Sequence, residues 1–113
     1  MRAVNRTNNC LIAQKVLTAD SFFSRARGLL NNKFFPEDEA LLITHCQSIH
    51  MFLMKFSIDV LFLDKITRVV GVVEKIQPFH LSPIFWRATS ALELAAGVIG
   101  KTKTSVGDQL EIE

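Results

Sequence analysis

The most restrictive feature of the sequence is a valine-rich run near its middle, R-V-V-G-V-V-E-K-I at Arg68–Ile76. Four of the five residues from Val69 to Val73 are valine. Branching at Cβ restricts χ1, which disfavours a helix and favours a strand. Gly71 interrupts the run, and a glycine inside a strand indicates a bulge or a close approach by another part of the chain. The run therefore predicts a strand, and with it a β-sheet.

Five further segments have the composition of short strands, and one has the pattern of a helix. The predicted strands are Cys10–Leu17, Ala40–Thr44, Val60–Leu63, Ser90–Leu94 and Gln109–Glu113. Val60–Leu63 is apolar throughout, which is typical of a strand covered on both faces. Near residues 20–31, apolar residues recur at offsets of 0, 4, 7 and 8 from Phe22, which is one face of a helix. Residues 98–104 are expected to form a short helix or a turn.

These elements predict the fold class. Because the strands do not alternate regularly with helices, a parallel, doubly wound sheet is disfavoured. We predict a mainly β protein, at the margin of the α+β class: a small antiparallel β-sandwich or a barrel-like sheet, with one short helix near residues 20–31. The length of 113 residues suits a single domain over residues 10–113. The polar residues 1–9 are expected to form a flexible N-terminus.

Composition and charge argue against several classes of function. A net charge of +2 and a pI of about 8.7 are too small a basic excess to indicate nucleic-acid binding. The most apolar stretch, Ile49–Leu63, contains Lys55 and Asp59 and is shorter than the ~20 residues of a membrane-spanning helix. Two cysteines do not make a disulfide framework. A soluble, cytoplasmic protein without a membrane span is expected; the alternative is an export leader trimmed from the sequence.

Five blocks of sequence, taken in order, resemble a known family. They are S-R-A-R-G-L-L (Ser24–Leu30), C-Q-S-I-H-M-F-L-M-K-F-S-I-D-V-L-F-L-D (Cys46–Asp64), R-V-V-G-V-V (Arg68–Val73), A-L-E-L-A-A-G (Ala91–Gly97) and G-D-Q-L (Gly107–Leu110). Together they resemble domain-of-unknown-function family 192, also catalogued as uncharacterised protein family 0127. The resemblance implies a compact, mainly β fold of the sandwich or jelly-roll kind, and it implies no activity. The family often has a proline before its last glycine, where this chain has Ala95 and Ala96.

The segment Gln77–Trp86 contains two prolines and several aromatic residues, and it is predicted to be a loop. Its candidate binding residues are Phe79, His80, Phe85 and Trp86, with Ile84 beside them. Loops usually lie at the surface, and tryptophan is frequent at binding hot spots, so this loop is a candidate binding face. In the alternative interpretation, Phe85 and Trp86 plug the end of the sandwich.

A metal or thiol site is the second candidate. Cys46 and His50 are four residues apart, which places them on one face of either a strand or a helix. Thiolate and imidazole are ordinary zinc ligands, and a thiolate is also a nucleophile. The chain has no C-x-x-C or H-E-x-x-H pattern, and cysteine is often simply buried. No cofactor is therefore predicted, and zinc at these two residues is the alternative.

Asp59 is the third candidate, because it lies among apolar residues. Such a carboxylate is either hydrogen-bonded or a functional acid. A functional pair could join Asp59 to Glu93 or Asp64. The structural alternative is that Asp59 accepts backbone N–H groups, or that it pairs with Arg25 or Arg27. Because buried carboxylates are usually paired, the structural alternative is favoured, and the two arginines are grouped with Asp59 as a polar framework.

Taken together, these features predict a small non-enzymatic domain that binds a protein or a small-molecule ligand, as an accessory to a larger assembly. The competing hypothesis is a metal- or thiol-dependent enzyme centred on Cys46, His50 and Asp59. Nucleic acid is disfavoured as a partner because the basic residues are scattered and form no arginine-rich run.

Overall fold

The computed structural model describes residues 1–20, 36–48 and 56–113, which form eight strands and one short helix. The elements, in chain order, are β1 (Ala3–Asn5), β2 (Cys10–Ala13), β3 (Lys15–Asp20), β4 (Glu39–Thr44), β5 (Ile58–Leu63), β6 (Val69–Ile76), β7 (Ser90–Ala95), α1 (Val98–Thr102) and β8 (Leu110–Ile112). The helix predicted near residues 20–31 lies outside the described residues. At residues 98–104, the structure shows a helix where the sequence left open a helix or a turn.

The larger sheet has five strands in the order β3-β4-β7-β5-β6. Strands β3 and β4 are parallel, and every other neighbouring pair is antiparallel. All six residues of β5 are buried, as expected for an apolar strand covered on both faces. Its cross-strand partners in β7 run from Ile58–Ala95 to Leu63–Ser90. β5 and β7 therefore form the centre of the molecule.

The smaller sheet has three strands in the order β2-β1-β8. Both neighbours of β1 are antiparallel to it. α1 contacts β2 of the smaller sheet and β7 of the larger one, so that it links the two sheets. Buried residues of both sheets and of α1 belong to one apolar core.

The predicted mainly β class is confirmed, with two sheets and one short helix in the described part of the chain. The prediction left open a barrel-like sheet, but no described sheet closes into a barrel. The larger sheet has β3 and β6 as its edge strands, and the smaller sheet has β2 and β8. The sheets are also not wholly antiparallel, since β3 and β4 run in the same direction.

Two of the predicted boundaries differ from the structure. The segment Cys10–Leu17, predicted as one strand, is two strands, β2 and β3, which separate at Gln14. Here the chain leaves the smaller sheet for the larger, and the N–H groups of Gln14 and Lys15 both donate to the carbonyl oxygen of Asp38, at 2.9 and 3.2 Å. Hydrophobic pattern indicates a strand but does not reveal that its pairing partner changes.

The N-terminus also differs from the expectation of flexibility at residues 1–9. Ala3–Asn5 is the central strand of the smaller sheet, and Ala3 and Asn5 are both fully buried. The buried Asn5 amide is satisfied by two side chains near the other end of the chain. Its Nδ2 donates to Oδ2 of Asp108 at 2.8 Å and to Oγ1 of Thr104 at 3.4 Å. A polar residue is therefore placed in the interior without an unpaired group.

Candidate functional site

The segment Gln77–Thr89, which we name the crossover loop, connects two strands that are not neighbours. β6 and β7 both run antiparallel to β5, which lies between them, so that they are parallel to each other. β6 ends beside Ile58, whereas β7 begins beside Leu63 at the opposite end of β5. Parallel strands require a crossover of a dozen or more residues, and 13 residues lie between Ile76 and Ser90. The crossover loop must therefore return along the sheet.

Phe85 fixes the crossover loop to the face of the sheet. Its ring stacks on Phe62 of β5, with the ring centroids 4.5 Å apart and an interplanar angle of 30°. Phe62 is paired with Gly71 of β6, and a Cβ atom at Gly71 would lie only 2.4 Å from the Phe85 ring. The glycine in the valine run thus permits the close approach of a side chain, where the sequence left open a bulge or a close backbone approach.

Gln47, in the segment that follows β4, holds the crossover loop at a second point. Its carbonyl oxygen accepts the N–H of Phe85 at 2.8 Å, and its Nε2 donates to the carbonyl oxygen of Trp86 at 3.0 Å. The loop also contains a turn in which the N–H of Ala88 donates to the carbonyl oxygen of Phe85 at 2.9 Å. The backbone around Phe85 is therefore positioned before any partner binds.

The same loop exposes four large apolar side chains. Their exposed fractions are 73% for Phe79, 66% for Leu81, 52% for Ile84 and 75% for Trp86. Only five other large hydrophobic residues in the described part of the chain are exposed, and they are spread over the rest of it. Clustered exposed apolar groups are typical of interaction sites, whereas isolated ones need no explanation.

The structure divides the residues that the sequence grouped in this loop. Phe85 is half-buried and packs on the face of the sheet, while Trp86 is exposed. Phe79 combines high exposure with a φ of 65°, a left-handed conformation that is rare for a bulky residue. His80 is exposed, with its Nδ1 3.0 Å from the carbonyl oxygen of Pro78. A binding role for these residues stays a prediction.

Two contributors to this surface were missed in the sequence. Leu81 lies in the same apolar run, and the candidate residues on either side of it were a sufficient signal to include it. Gln47 is 39 positions from Trp86, and no local signal identifies it as a contact of the loop.

Asp59 is fully buried and joins three segments of the chain. Its Oδ1 accepts the backbone N–H of Lys75 at 2.8 Å, where β6 bulges with a φ of 53°. Its Oδ2 accepts the N–H groups of Gly97 at 3.0 Å and Ile99 at 2.9 Å, at the start of α1. This is the structural alternative expected from the sequence, in which backbone N–H groups satisfy the carboxylate.

The proposed carboxylate pair is not formed. Asp59 is opposite Leu94, whereas Glu93 is opposite Val60, so that the two carboxylates lie on opposite faces of the sheet. Asp64 belongs to the turn after β5, and its Oδ1 accepts backbone N–H groups in that turn. Glu93 is fully buried on the face that the crossover loop covers.

The structure separates Cys46 from Asp59. The N–H of Cys46 donates to the carbonyl oxygen of Thr89, and the N–H of Thr89 donates to that of Leu63. Cys46 is therefore at the Leu63 end of β5, and Asp59 is four residues away along the strand, or about 13 Å. A single centre containing both residues is not formed. The buried thiol of Cys46 donates to the carbonyl oxygen of Ser48, at 3.1 Å.

The remaining candidates have these outcomes. His50, Arg25 and Arg27 lie outside the described residues, so zinc at Cys46 and His50 stays a prediction. Within the described ranges, no three His, Cys, Asp or Glu side chains cluster as metal ligands would. Two clefts lined by described residues flank α1, and neither includes Cys46 or Asp59. No described helix is long and apolar enough to cross a membrane.

Comparison with known proteins places this arrangement in a family. Residues 3–112 match the model of domain-of-unknown-function family 192, which is described as an uncharacterised ACR. The chain belongs to this family. The resemblance of the five sequence blocks is thereby confirmed, and family 192 carries no assigned activity.

Two relatives support the family 192 assignment, and two solved structures support the fold. An uncharacterised family 0127 protein of Thermococcus sibiricus is 32% identical, over 97% of this chain and 73% of its own. One from Pyrococcus horikoshii is 34% identical, over 96% of each chain. A protein of unknown function from Novosphingobium aromaticivorans superimposes with a TM-score of 0.80 at 15% identity, over 98% of this chain and 82% of the other. A Sinorhizobium meliloti protein described as a candidate transcription regulator superimposes with a TM-score of 0.74 at 22% identity, over 97% of this chain and 89% of the other.

Proposed function

We propose that the protein is a non-enzymatic binding domain that captures a protein ligand on its crossover loop, as an accessory to a larger assembly. The observation that carries the proposal is the exposure of Phe79, Leu81, Ile84 and Trp86 within eight consecutive positions. Large aromatic and aliphatic side chains of this kind dominate the energetics of protein interfaces.

The way in which the loop is held also supports the proposal. Phe85 and Gln47 fix the loop on the sheet, and Pro78 and Pro83 restrict its backbone. A loop that is already ordered loses less conformational entropy when it binds than a flexible one does. The apolar side chains are therefore presented on a stiff support, as expected of a binding surface.

The test is a pull-down from lysate of the source organism with three matched proteins. They are the wild type, a loop variant with Phe79→Ser and Trp86→Ser, and a control variant with Leu11→Ser and Val106→Ser. The control removes exposed apolar side chains outside the loop, which are 43% and 62% exposed. Circular dichroism establishes that all three proteins are folded.

The proposal predicts partners that are retained by the wild type and the control and lost by the loop variant. If the loop variant retains every partner, the crossover loop is not the binding surface. A fourth protein, Cys46→Ala with His50→Ala, tests the competing hypothesis. Loss of partners or of bound metal with that variant alone would favour a thiol or zinc site over the proposed function.

A further inference from the structure

The charges around the crossover loop are distributed unevenly. No aspartate or glutamate occurs between Gln77 and Thr89, whereas Arg87 follows directly after the exposed Trp86. The loop reaches the sheet at Thr89, whose N–H donates to the carbonyl oxygen of Leu63 at 2.8 Å. The turn after Leu63 carries Lys65 and Arg68, which are exposed.

These three cations, Arg87, Lys65 and Arg68, form a group that we name the basic rim. None of them makes an ion pair with a residue in the ranges that the structure describes. One carboxylate, Asp64, lies in the same turn, and its Oδ1 accepts the backbone N–H groups of Ile66 and Arg68 at 3.0 and 2.9 Å. The rim thus keeps an excess of positive charge on the two segments that the Thr89–Leu63 hydrogen bond joins, and its Arg87 is next to Trp86 in the sequence.

Elsewhere, four acids form ion pairs within the protein. Glu111 and Glu113 of the smaller sheet pair with Arg6 and Arg2, and the hydrogen bond and charge of Glu111 raise the pKa of Arg6. Two further ion pairs link Lys15 to Glu39 and Lys101 to Glu37. Acidic groups therefore neutralise basic ones around the smaller sheet and the start of β4, whereas the basic rim has its charge available for a partner.

We infer that the ligand of the crossover loop is an acidic, apolar protein segment. This inference rests on the proposed function and specifies the chemistry of the partner. Apolar side chains of the segment cover Phe79, Leu81, Ile84 and Trp86, and its carboxylates face the basic rim. An arginine binds a carboxylate with two parallel hydrogen bonds, and charge complementarity gives selectivity and faster association.

Two other polyanions fit the surface less well. Nucleic acid would stack its bases on the rings of Phe79 and Trp86, but Leu81 and Ile84, which lie between them in the sequence, offer no aromatic platform. An anionic membrane would require apolar groups that enter the interface by about 5–10 Å. The crossover loop is fixed along the face of the sheet by Phe85 and Gln47, which holds its backbone close to the protein.

The experiment is a selection of short random peptides displayed on phage, using the full chain. Peptides are retained on the wild type and depleted on Trp86→Ser, so that only loop-dependent binders remain. Their carboxylate content is then compared with that of the starting library. Selected peptides are titrated into the wild type, Arg87→Glu and Lys103→Glu; Lys103 is an exposed cation after α1, outside the basic rim. Vesicles of phosphatidylcholine with phosphatidylglycerol form a parallel arm.

The inference predicts Trp86-dependent peptides that combine apolar residues with an excess of Asp and Glu. Arg87→Glu should weaken their binding about threefold to tenfold at low salt, and Lys103→Glu should not. The difference should shrink as ionic strength rises and screening shortens the range of the charges. Apolar peptides without acidic enrichment would overturn the inference and leave the proposed function intact. The absence of any Trp86-dependent peptide would count against both, and Trp86-dependent binding to vesicles alone would replace the protein ligand with a lipid surface.

Discussion

Replacing Gly71 with alanine tests whether the contact with Phe85 fixes the crossover loop. A Cβ atom at this position would lie 2.4 Å from Cδ1 and Cε1 of Phe85 and 2.8 Å from its Cγ. Carbon atoms in ordinary contact are about 3.5–4.0 Å apart. The Phe85 ring must therefore move by about 1 Å or more, or β6 must shift within the sheet.

The magnitude follows from three contributions to the free energy of unfolding. Overpacking of this kind usually costs about 1–3 kcal/mol. Displacement of the ring also weakens its stack on Phe62, which is worth about 0.5–1.5 kcal/mol. Alanine is more favourable than glycine inside a strand by about 0.5–1 kcal/mol, which offsets part of the loss. We expect Gly71→Ala to lower the free energy of unfolding by about 1–3.5 kcal/mol.

Urea denaturation followed by circular dichroism measures the stability, and Trp86 fluorescence reports on the loop itself. Trp86 is the only tryptophan of the chain and follows Phe85 directly. The matched control is Gly100→Ala in α1, where the nearest atom to an added Cβ is Oε1 of Glu74 at 3.6 Å, an ordinary contact. This control should leave stability unchanged or raise it by about 0.4–1 kcal/mol.

A double-mutant cycle decides whether the ring is the cause. In a Phe85→Ala background the added methyl group meets no ring, so Gly71→Ala should become neutral or stabilising. The two substitutions should therefore be coupled by about 1.5–4.5 kcal/mol, the sum of the overpacking and stacking contributions. An equal loss of stability in both backgrounds would refute the reasoning, because the cost would then come from the strand and not from Phe85.

Three further outcomes are expected. Asp59→Asn keeps the shape of the side chain, but it presents an N–H donor or a weaker acceptor to the backbone N–H groups that Asp59 binds. The substitution should lower the free energy of unfolding by about 2–3 kcal/mol and speed hydrogen exchange at the Gly97 and Ile99 amides. Unchanged exchange at both amides would contradict the role of Asp59 as an anchor. Asn5→Ala should lower the free energy of unfolding in urea by about 1–3 kcal/mol, since it removes the hydrogen bonds that the Asn5 side chain makes to Asp108 and to the N–H of Thr7. Trp86 fluorescence should be quenched by acrylamide almost as readily in the folded as in the unfolded protein; strong protection would show that its ring is covered.

Strand positions were predictable where composition alone decides them. The valines at Val69–Val73 and the apolar run at Val60–Leu63 predicted two strands, and both lie within strands of the structure. The three-residue strand at Ala3–Asn5 was not predictable in this way. The residues around this strand are mostly polar, as in a disordered terminus. The strand is stabilised by partners such as Asp108, which the local sequence does not reveal.

The candidate site was predictable in its chemistry and not in its arrangement. The residue types around Asp59 indicated a buried, hydrogen-bonded carboxylate, because an apolar neighbourhood leaves few other solutions. They did not indicate which amides satisfy it, since those of Lys75 and Ile99 depend on a bulge and on a helix start. Likewise, the sequence did not separate Phe85 from Trp86, because their burial depends on the close approach to Gly71.

The pairing of β1 with β8 has a consequence for how the protein is made. Arg6 and its ion-pair partner Glu111 are 105 positions apart, so β1 waits on the ribosome for nearly the whole chain before its second neighbour is synthesised. Contacts between such distant positions form slowly because the loop between them must first close. Until then, the edge of β1 that pairs with β8 and the side-chain amide of Asn5 are exposed to water or to a chaperone. The pairing of β1 with β8 therefore forms only after β8 has been synthesised.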